Sequence, residues 1–382
     1  MKIESTGDCK EIKEIAGKLY DLAKSGDMEF YSEFEKCGDA LMVCGLYSEI
    51  IDINEAVLEK LNKDNEQGRS ACFTNLGLAY YGLGDLGKSV EFHSKSLNIK
   101  KEIGDAAGES SCYINLGNVY SDMGDFNMAV EFYEKSLEIK KRIKDKTGES
   151  RCYHGLGLVY YSAGDFDMAV EFHKKSLVIS KSKGDRAGES SCCNNIGIAY
   201  DGAGDFKKAV KFHKKAFEIK KELGDLKGQS RCLGNLGNAY YGLGDMKKAL
   251  EMHNAALKIA QDIGDRMWES KCLGNIGIVY DGLGDFEKSV EFHKKALEIA
   301  GDIGYRTCEP AYYTNLGIAY EGFGDFKKAL GFFEKSLAIY EMGGDVNNAM
   351  KVCENISHTY KKMNNPQKAE EYKRKASGFT LD

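Results

Sequence analysis

The sequence is almost without proline: Pro310 and Pro366 are the two in 382 residues, against 43 glycines. That excludes a proline-rich or linker-like chain and points to helices punctuated by glycine stops. No uninterrupted apolar run approaches the roughly 18 residues of a membrane span, so no membrane insertion is expected. The opening stretch, MKIESTGDCKEIKEIAG, lacks the apolar core of a secretory signal. Twelve cysteines without such a signal are expected to be thiols in a reducing, cytoplasmic compartment. A strong excess of one charge is missing too. With 29% charged residues and a net charge of −6, nothing pulls the chain as a whole towards nucleic acid or a membrane surface. No G-x-x-x-x-G-K-[ST] phosphate loop occurs. The G-x-G pairs, as in YGLGD, end helices rather than follow strands.

What the sequence does have is a forty-residue period. Gly77, Gly117, Gly157, Gly197, Gly237, Gly277 and Gly317 keep that spacing, as do Tyr80 to Tyr360 and Asp85 to Asp325. Each unit is numbered here from the equivalent of Ser110 as position 1. Cys112, Tyr113, Leu116, Gly117, Val119, Tyr120 and Met123 then form one wide apolar helical face. Gly124 supplies a left-handed stop, and Asp125 an N-cap for a second helix. Phe126, Ala129, Val130, Tyr133, Leu137 and Ile139 give that helix its own stripe. Each unit therefore reads as two helices of roughly 16 residues, about 25 Å long. Glycine within a helix costs about 1 kcal/mol. At Gly117, facing Ala129, the expected compensation is a closer approach of the two helices, packed by Tyr120, Phe126 and Tyr133.

Residues 1–30 read as an N-terminal capping helix and 31–69 as a degenerate unit built on Phe34, Gly38, Leu41, Gly45, Tyr47, Ile50 and Leu58. Seven full units occupy 70–349, and 350–378 is a truncated C-terminal cap with Ser357 in place of glycine. Pro366 opens the last helix, and Pro310 is expected to distort the start of another.

The pattern Leu116-Gly117-x2-Tyr120 followed by Ala129-x3-Tyr133 resembles the tetratricopeptide repeat. The period is forty rather than thirty-four, and the usual proline after the second helix is missing. Forty-residue units carrying NLGN and ending in GD resemble the array of the Partner of Inscuteable, or G-protein-signalling-modulator, family of polarity adaptors, over about residues 31–376. The fold class expected is all-α, a right-handed α-solenoid of antiparallel helix pairs. The resemblance implies that first helices line a concave groove, and that partners are of spindle-orientation or cortical type. It also implies short G-protein-binding motifs after the array. None follows Asp382, so direct G-protein contact is not expected.

On the first helix, position 6 is asparagine in Asn75, Asn115, Asn195, Asn235, Asn275, Asn315 and Asn355, with Gly155 the exception. Such a ladder of amides would either bind the backbone of an extended peptide or bond the neighbouring unit. Asn118 and Asn238, at position 9, vary between units and are further ligand candidates. Position 2 supplies Arg151, Arg231 and Lys271 as a basic edge. Position 12 supplies Tyr81, Tyr161 and Tyr241, or Asp201, Asp281 and Glu321, as an aromatic or acidic one. The tyrosines are either anchors or ordinary exposed surface. The position-13 glycines, such as Gly82 and Gly242, either leave room for a ligand's main chain or fray the helix end. Position 5, from Thr74 to Thr314, has no lysine, so no C-terminal carboxylate clamp is expected.

Six cysteines at position 3, Cys72 to Cys272, lie forty residues apart, too far for a metal site; they read as core thiols. His93, His173, His213, His253 and His293 share position 24 with Tyr133 and Phe333, which indicates ring packing rather than chemistry, with no partner carboxylate or serine recurring beside them. The lysines around Lys211 read as a solvated convex face. The functional expectation is a non-enzymatic adaptor, without metal or cofactor, that holds an extended segment of a partner protein. The alternative is a scaffold that self-associates through its terminal units or convex face.

Overall fold

The structure, a computed structural model, describes residues 9–25 and 41–379. Phe34 and Gly38 lie outside the described residues. The chain divides into two compact units, 1–184 and 185–382. The first contains α1 (Cys9–Ser25), α2 (Tyr47–Lys60), α3 (Glu66–Gly82), α4 (Leu86–Glu102), α5 (Ala106–Asp122), α6 (Phe126–Arg142), α7 (Lys146–Ser162) and α8 (Phe166–Ser182). Each helix packs on the next, and α5 also touches α3 and α7.

The second unit contains α9 (Arg186–Gly202), α10 (Phe206–Glu222), α11 (Leu226–Gly242), α12 (Met246–Asp262), α13 (Arg266–Leu283) and α14 (Phe286–Asp302). A 3-10 turn at Arg306–Cys308 leads into α15 (Glu309–Gly322), followed by α16 (Phe326–Met342), α17 (Val346–Lys362) and α18 (Pro366–Gly378). The same packing order holds there: each helix lies on the next, and first helices also touch first helices. Both units are all-α stacks of antiparallel hairpins, with no strand among the described residues. Pro310 accounts for the 3-10 turn, since it stands in the first turn of α15 and offers no N–H to an earlier start.

The turns follow directly from local chemistry. Gly124 has φ +80°, a left-handed conformation that a side chain would strain. Asp125 then caps α6 by accepting the Met128 N–H at 3.1 Å. Lys144 stands in a glycine's place with φ +59°.

Within each hairpin, one contact sets the spacing. A Cβ added at Gly117 would lie 2.9 Å from the Tyr133 ring, one at Gly237 2.5 Å from His253, and one at Gly317 2.4 Å from Phe333. The position-24 ring thus rests on the bare backbone of the position-8 glycine. Of the three aromatics expected to exploit Gly117, Tyr133 is the one seated on it. Around this contact, Tyr80 stacks on Phe92 and Tyr120 on Phe132, with centroids 5.4 and 5.3 Å apart. Serines fasten the other end: Ser110 and Ser136 hydroxyls are 2.8 Å apart, and Ser230 donates to the Ala256 carbonyl at 2.7 Å.

The histidine rings are sealed in. His93, His173 and His253 are each 1% exposed, and each leaves Nδ1 without a hydrogen-bond partner. Burial lowers His93 and His253 to about 4 and, with nearby His154 adding to the effect, His173 to about 3.

Two predictions follow from this packing. In urea unfolding, Gly237→Ala should cost about 1–3 kcal/mol by forcing His253 off its seat, whereas Lys144→Gly should gain about 1 kcal/mol by relieving the left-handed backbone. The second concerns pH. A histidine kept neutral in the fold protonates first in the unfolded chain, so stability is lost as pH falls from about 6.5 towards 4. His253 alone should remove ~2 kcal/mol between pH 8 and pH 5. His253→Phe, copying the ring at Phe333, should remain folded and show a correspondingly flatter dependence of the urea midpoint on pH.

Candidate functional site

The candidate residues sit on the first helix of each hairpin, and the structure shows which of their polar groups are already engaged. In the first unit, Asn75 donates to the side chain of Asn54 on α2 at 3.2 Å. Asn115 is half-buried and makes no side-chain hydrogen bond. Asn118 is exposed, but its carbonyl accepts the Tyr133 hydroxyl. The Tyr81 hydroxyl donates to Asp122 of the next first helix. Tyr161 is 37% exposed and packs against Phe166 with centroids 5.5 Å apart. Arg151 is exposed and has no ion pair.

In the second unit, Asn235 donates to Asn194 of the preceding first helix at 2.8 Å. Asn195 is half-buried and has a partner of its own. Asn275 and Asn315 are half-buried without a side-chain bond, and Asn238 is exposed and likewise unbonded. Lys271 lies over the rings of Trp268 and Tyr305, at 5.8 and 5.6 Å. The half-buried Tyr241 covers Gly282. Arg231 is exposed without an ion pair. It borders a hollow of about 270 Å³ between α9 and α11, together with Ser191, Asn194, Asn195 and Lys227. Arg231, Asn235 and Asn238 follow a spacing of four and then three residues, which places them along one stripe of α11.

Three sequence expectations need correction. The position-13 glycines neither wait for a ligand nor merely fray an end. A Cβ at Gly82 would meet Tyr47 at 2.4 Å, one at Gly242 would meet Phe206 at 2.4 Å, and one at Gly322 would meet Phe286 at 2.3 Å. A ring from the preceding repeat occupies each place. The acidic edge is largely turned inward. Asp201 contacts His213 Nε2 at 3.0 Å and Asp281 contacts His293 Nε2 at 3.4 Å, so carboxylates do recur beside these histidines. Glu321 is held by His358 and Lys362 at 3.1 and 3.6 Å. Gly155, the exception in the asparagine ladder as the sequence reads, has a local reason: a Cβ there would lie 2.2 Å from Tyr133, the ring that replaces histidine in the preceding repeat.

The His213 group has the outline of a catalytic triad without the function of one. Asn194 Oδ1 lies 3.1 Å from Nδ1 and Asp201 lies 3.0 Å from Nε2, and the ring is 0% exposed. Neither ring nitrogen faces a nucleophile. The position-3 thiols are also inert. Burial pushes Cys72 and Cys272 up to about 12 and Cys232 to about 11. Among the described residues, no group of three His, Cys, Asp or Glu is placed to hold a metal ion, and no helix is long and apolar enough to cross a membrane.

Similar structures share this architecture. Aspartyl phosphate phosphatase F from Bacillus subtilis matches with 14% identity over 100% of this chain and 97% of that one, at TM-score 0.62. The apo quorum sensor NprR from B. thuringiensis matches with 14% identity over 97% and 99%, at TM-score 0.60. A Rap protein complexed with Competence and Sporulation Factor matches with 17% identity over 98% of each chain, at TM-score 0.58. At these identities the likeness is one of fold. No curated protein matches the sequence. Tetratricopeptide repeat profiles match residues 69–142, 109–182, 148–222 and 229–302, and related ones 311–342 and 351–378. The first of these profiles alone takes in more than half of the sequence, and the chain belongs to the tetratricopeptide repeat family.

Proposed function

We propose that this protein is a non-catalytic adaptor that holds an extended segment of a partner protein against its first helices. One observation carries the reading. On α11, Arg231 and Asn238 are exposed and unpaired, aligned beside a polar hollow lined by Asn194 and Asn195. An extended peptide offers a carbonyl and an N–H at every residue, which an amide can meet with one donor and one acceptor. A guanidinium in the same stripe would select an acidic side chain or carbonyl. Asn275, Asn315 and Lys271 would continue the surface along α13 and α15, and Asn115, Arg151 and Tyr161 would serve the first unit. Helix α1 and the hairpin of α17 and α18 would act as caps.

The complex of a structurally similar Rap protein with Competence and Sporulation Factor supports a binding role. The period of forty residues with NLGN and GD supports partners of the cell-polarity or spindle-orientation type. Cysteines left as free thiols among the described residues support a reducing, cytoplasmic setting.

The test uses linear peptides selected on the protein from a random display library. A selected peptide should lose about tenfold in affinity with Arg231→Ala or Asn238→Ala, equivalent to about 1.4 kcal/mol. It should be unaffected by Lys211→Ala on α10. Selection that yields no linear peptide, or peptides indifferent to both α11 changes, would overturn the reading.

A further inference from the structure

The opposite surface of the second unit carries a hollow at a place where four other repeats carry an aromatic ring, and where the repeats of Cys193 and Leu233 do not. In four repeats the aromatic at position 4 lies against the phenylalanine at position 23. Phe73 packs on Phe92, Tyr113 on Phe132, Tyr153 on Phe172 and Tyr313 on Phe332, with centroids 5.9–6.2 Å apart. Each phenylalanine also stacks on the position-11 tyrosine, which makes three rings in a row. A lysine closes the outer ring: Lys135 lies 5.9 Å from Tyr113, Lys175 5.9 Å from Tyr153 and Lys335 5.7 Å from Tyr313.

In the repeat of α13 and α14 the third ring is missing. Phe292 keeps its stack with Tyr280 at 5.4 Å and its lysine, Lys295, at 5.4 Å. Position 4, however, is Leu273. A hollow of about 400 Å³ opens there, lined among others by Leu257, Gln261, Leu273, Phe292, Lys295 and Ile299. These residues correspond to Leu97, Lys101, Tyr113, Phe132, Lys135 and Ile139, four repeats earlier. Tyr113 with Leu97, Ile139 and Phe132 forms a packed cluster. Leu257, Phe292 and Ile299 keep that cluster around Leu273, which is itself buried, while the ring of Tyr113 has no counterpart and Lys101 becomes Gln261.

We propose that this hollow is a docking site for a phenylalanine or tyrosine side chain of a partner protein, carried beside a basic residue. The ring would lie against Phe292 under Lys295, as Tyr113 lies against Phe132 under Lys135. Aromatic pairs favour such offset geometry, and the ammonium adds a cation–π contact. The basic neighbour follows from the charges on the lining. Lys101 over Tyr113 is replaced by neutral Gln261, and of the charged residues lining the hollow Arg266 and Glu269 pair with each other at 2.7 Å, which leaves Glu298 and Asp302 against Lys295. Asp302 reaches only Arg266, at 3.9 Å, and Glu298 makes no ion pair. This site is separate from the first-helix surface, and either can fail without the other.

The probe is tyramine, a phenol with an ammonium group, titrated into the full-length protein and followed by methyl NMR. Saturable shifts of the Leu273 and Ile299 methyl groups are expected at millimolar concentration, at least threefold weaker for 4-hydroxyphenylacetate. Leu273→Tyr supplies the missing ring from within. It should raise the thermal midpoint by roughly 2 °C and abolish the tyramine response. Phe292→Leu removes the ring face while leaving an apolar side chain, and should abolish the response independently. Absence of saturable shifts in the parent protein, or an undiminished response in either variant, would overturn the proposal.

Discussion

A ring seated on a glycine governs how this protein is built. At position 8 the absence of a side chain lets the imidazole, phenol or phenyl of position 24 lie directly on the first helix. The helical penalty of glycine, about 1 kcal/mol, is outweighed by burying a ring that leaves no void. Because the ring lies between the helices, its identity propagates outward. A histidine ends within its own hairpin. Tyr133 is longer: its hydroxyl reaches Asn118, and its ring edge occupies the space a side chain at Gly155 would need. One change, histidine to tyrosine, thus commits a surface amide and removes an asparagine from the following repeat. Tyr312 shows the same logic. It replaces the small cysteine of position 3, bonds Ser270 at 2.9 Å, and fits only because position 5 of the preceding repeat is Gly274, where a Cβ would lie 2.6 Å away.

The same constraint sorts polar groups into those that hold the stack and those left over. Serines at positions 1 and 27 and helix-start aspartates such as Asp125 find partners within the chain, and the inward carboxylates of Asp201 and Asp281 each turn one oxygen to a histidine. Most buried polar groups are satisfied in this way, and His93, His173 and His253, whose nitrogens lack partners, are kept neutral by burial. What remains available on the first helices is a short set, in which Arg151, Arg231 and Asn238 are exposed. A binding surface here consists of what packing has not consumed.

Much of the architecture was legible from spacing alone. Glycine stops, aspartate caps, the wide apolar face of Leu116, Val119 and Tyr120, and the disturbance at Pro310 are local, and local chemistry decides them. The fates of individual side chains were not legible, because they depend on partners twelve to forty-one residues away in sequence. Asp201 sits twelve residues from His213 across a hairpin turn, and Asn235 forty-one from Asn194 across two helices. The first pairing recurs once, as Asp281 with His293, and the second does not repeat, so periodicity carried little trace of either. The rings over the position-13 glycines were hidden for a different reason. Phe206 and Phe286 begin second helices and read simply as the start of an apolar stripe, though they project onto the next repeat. One signal was available. Gly155 breaks the asparagine ladder immediately after Tyr133 breaks the histidine series, and two exceptions in adjacent units imply contact.

A repeat protein therefore supplies its own controls, and the departures between units carry more information than the consensus. Where a departure is matched by a neighbour, as with Tyr133 and Gly155 or Tyr312 and Gly274, the pair restores dense packing and calls for no outside partner. The exchange of tyrosine for Leu273 is different. Its surroundings keep Leu257, Phe292, Lys295 and Ile299, and a hollow lies open among them. An unmatched departure of this kind marks where a second molecule has most to gain, because the walls are already held in place by the repeats on either side.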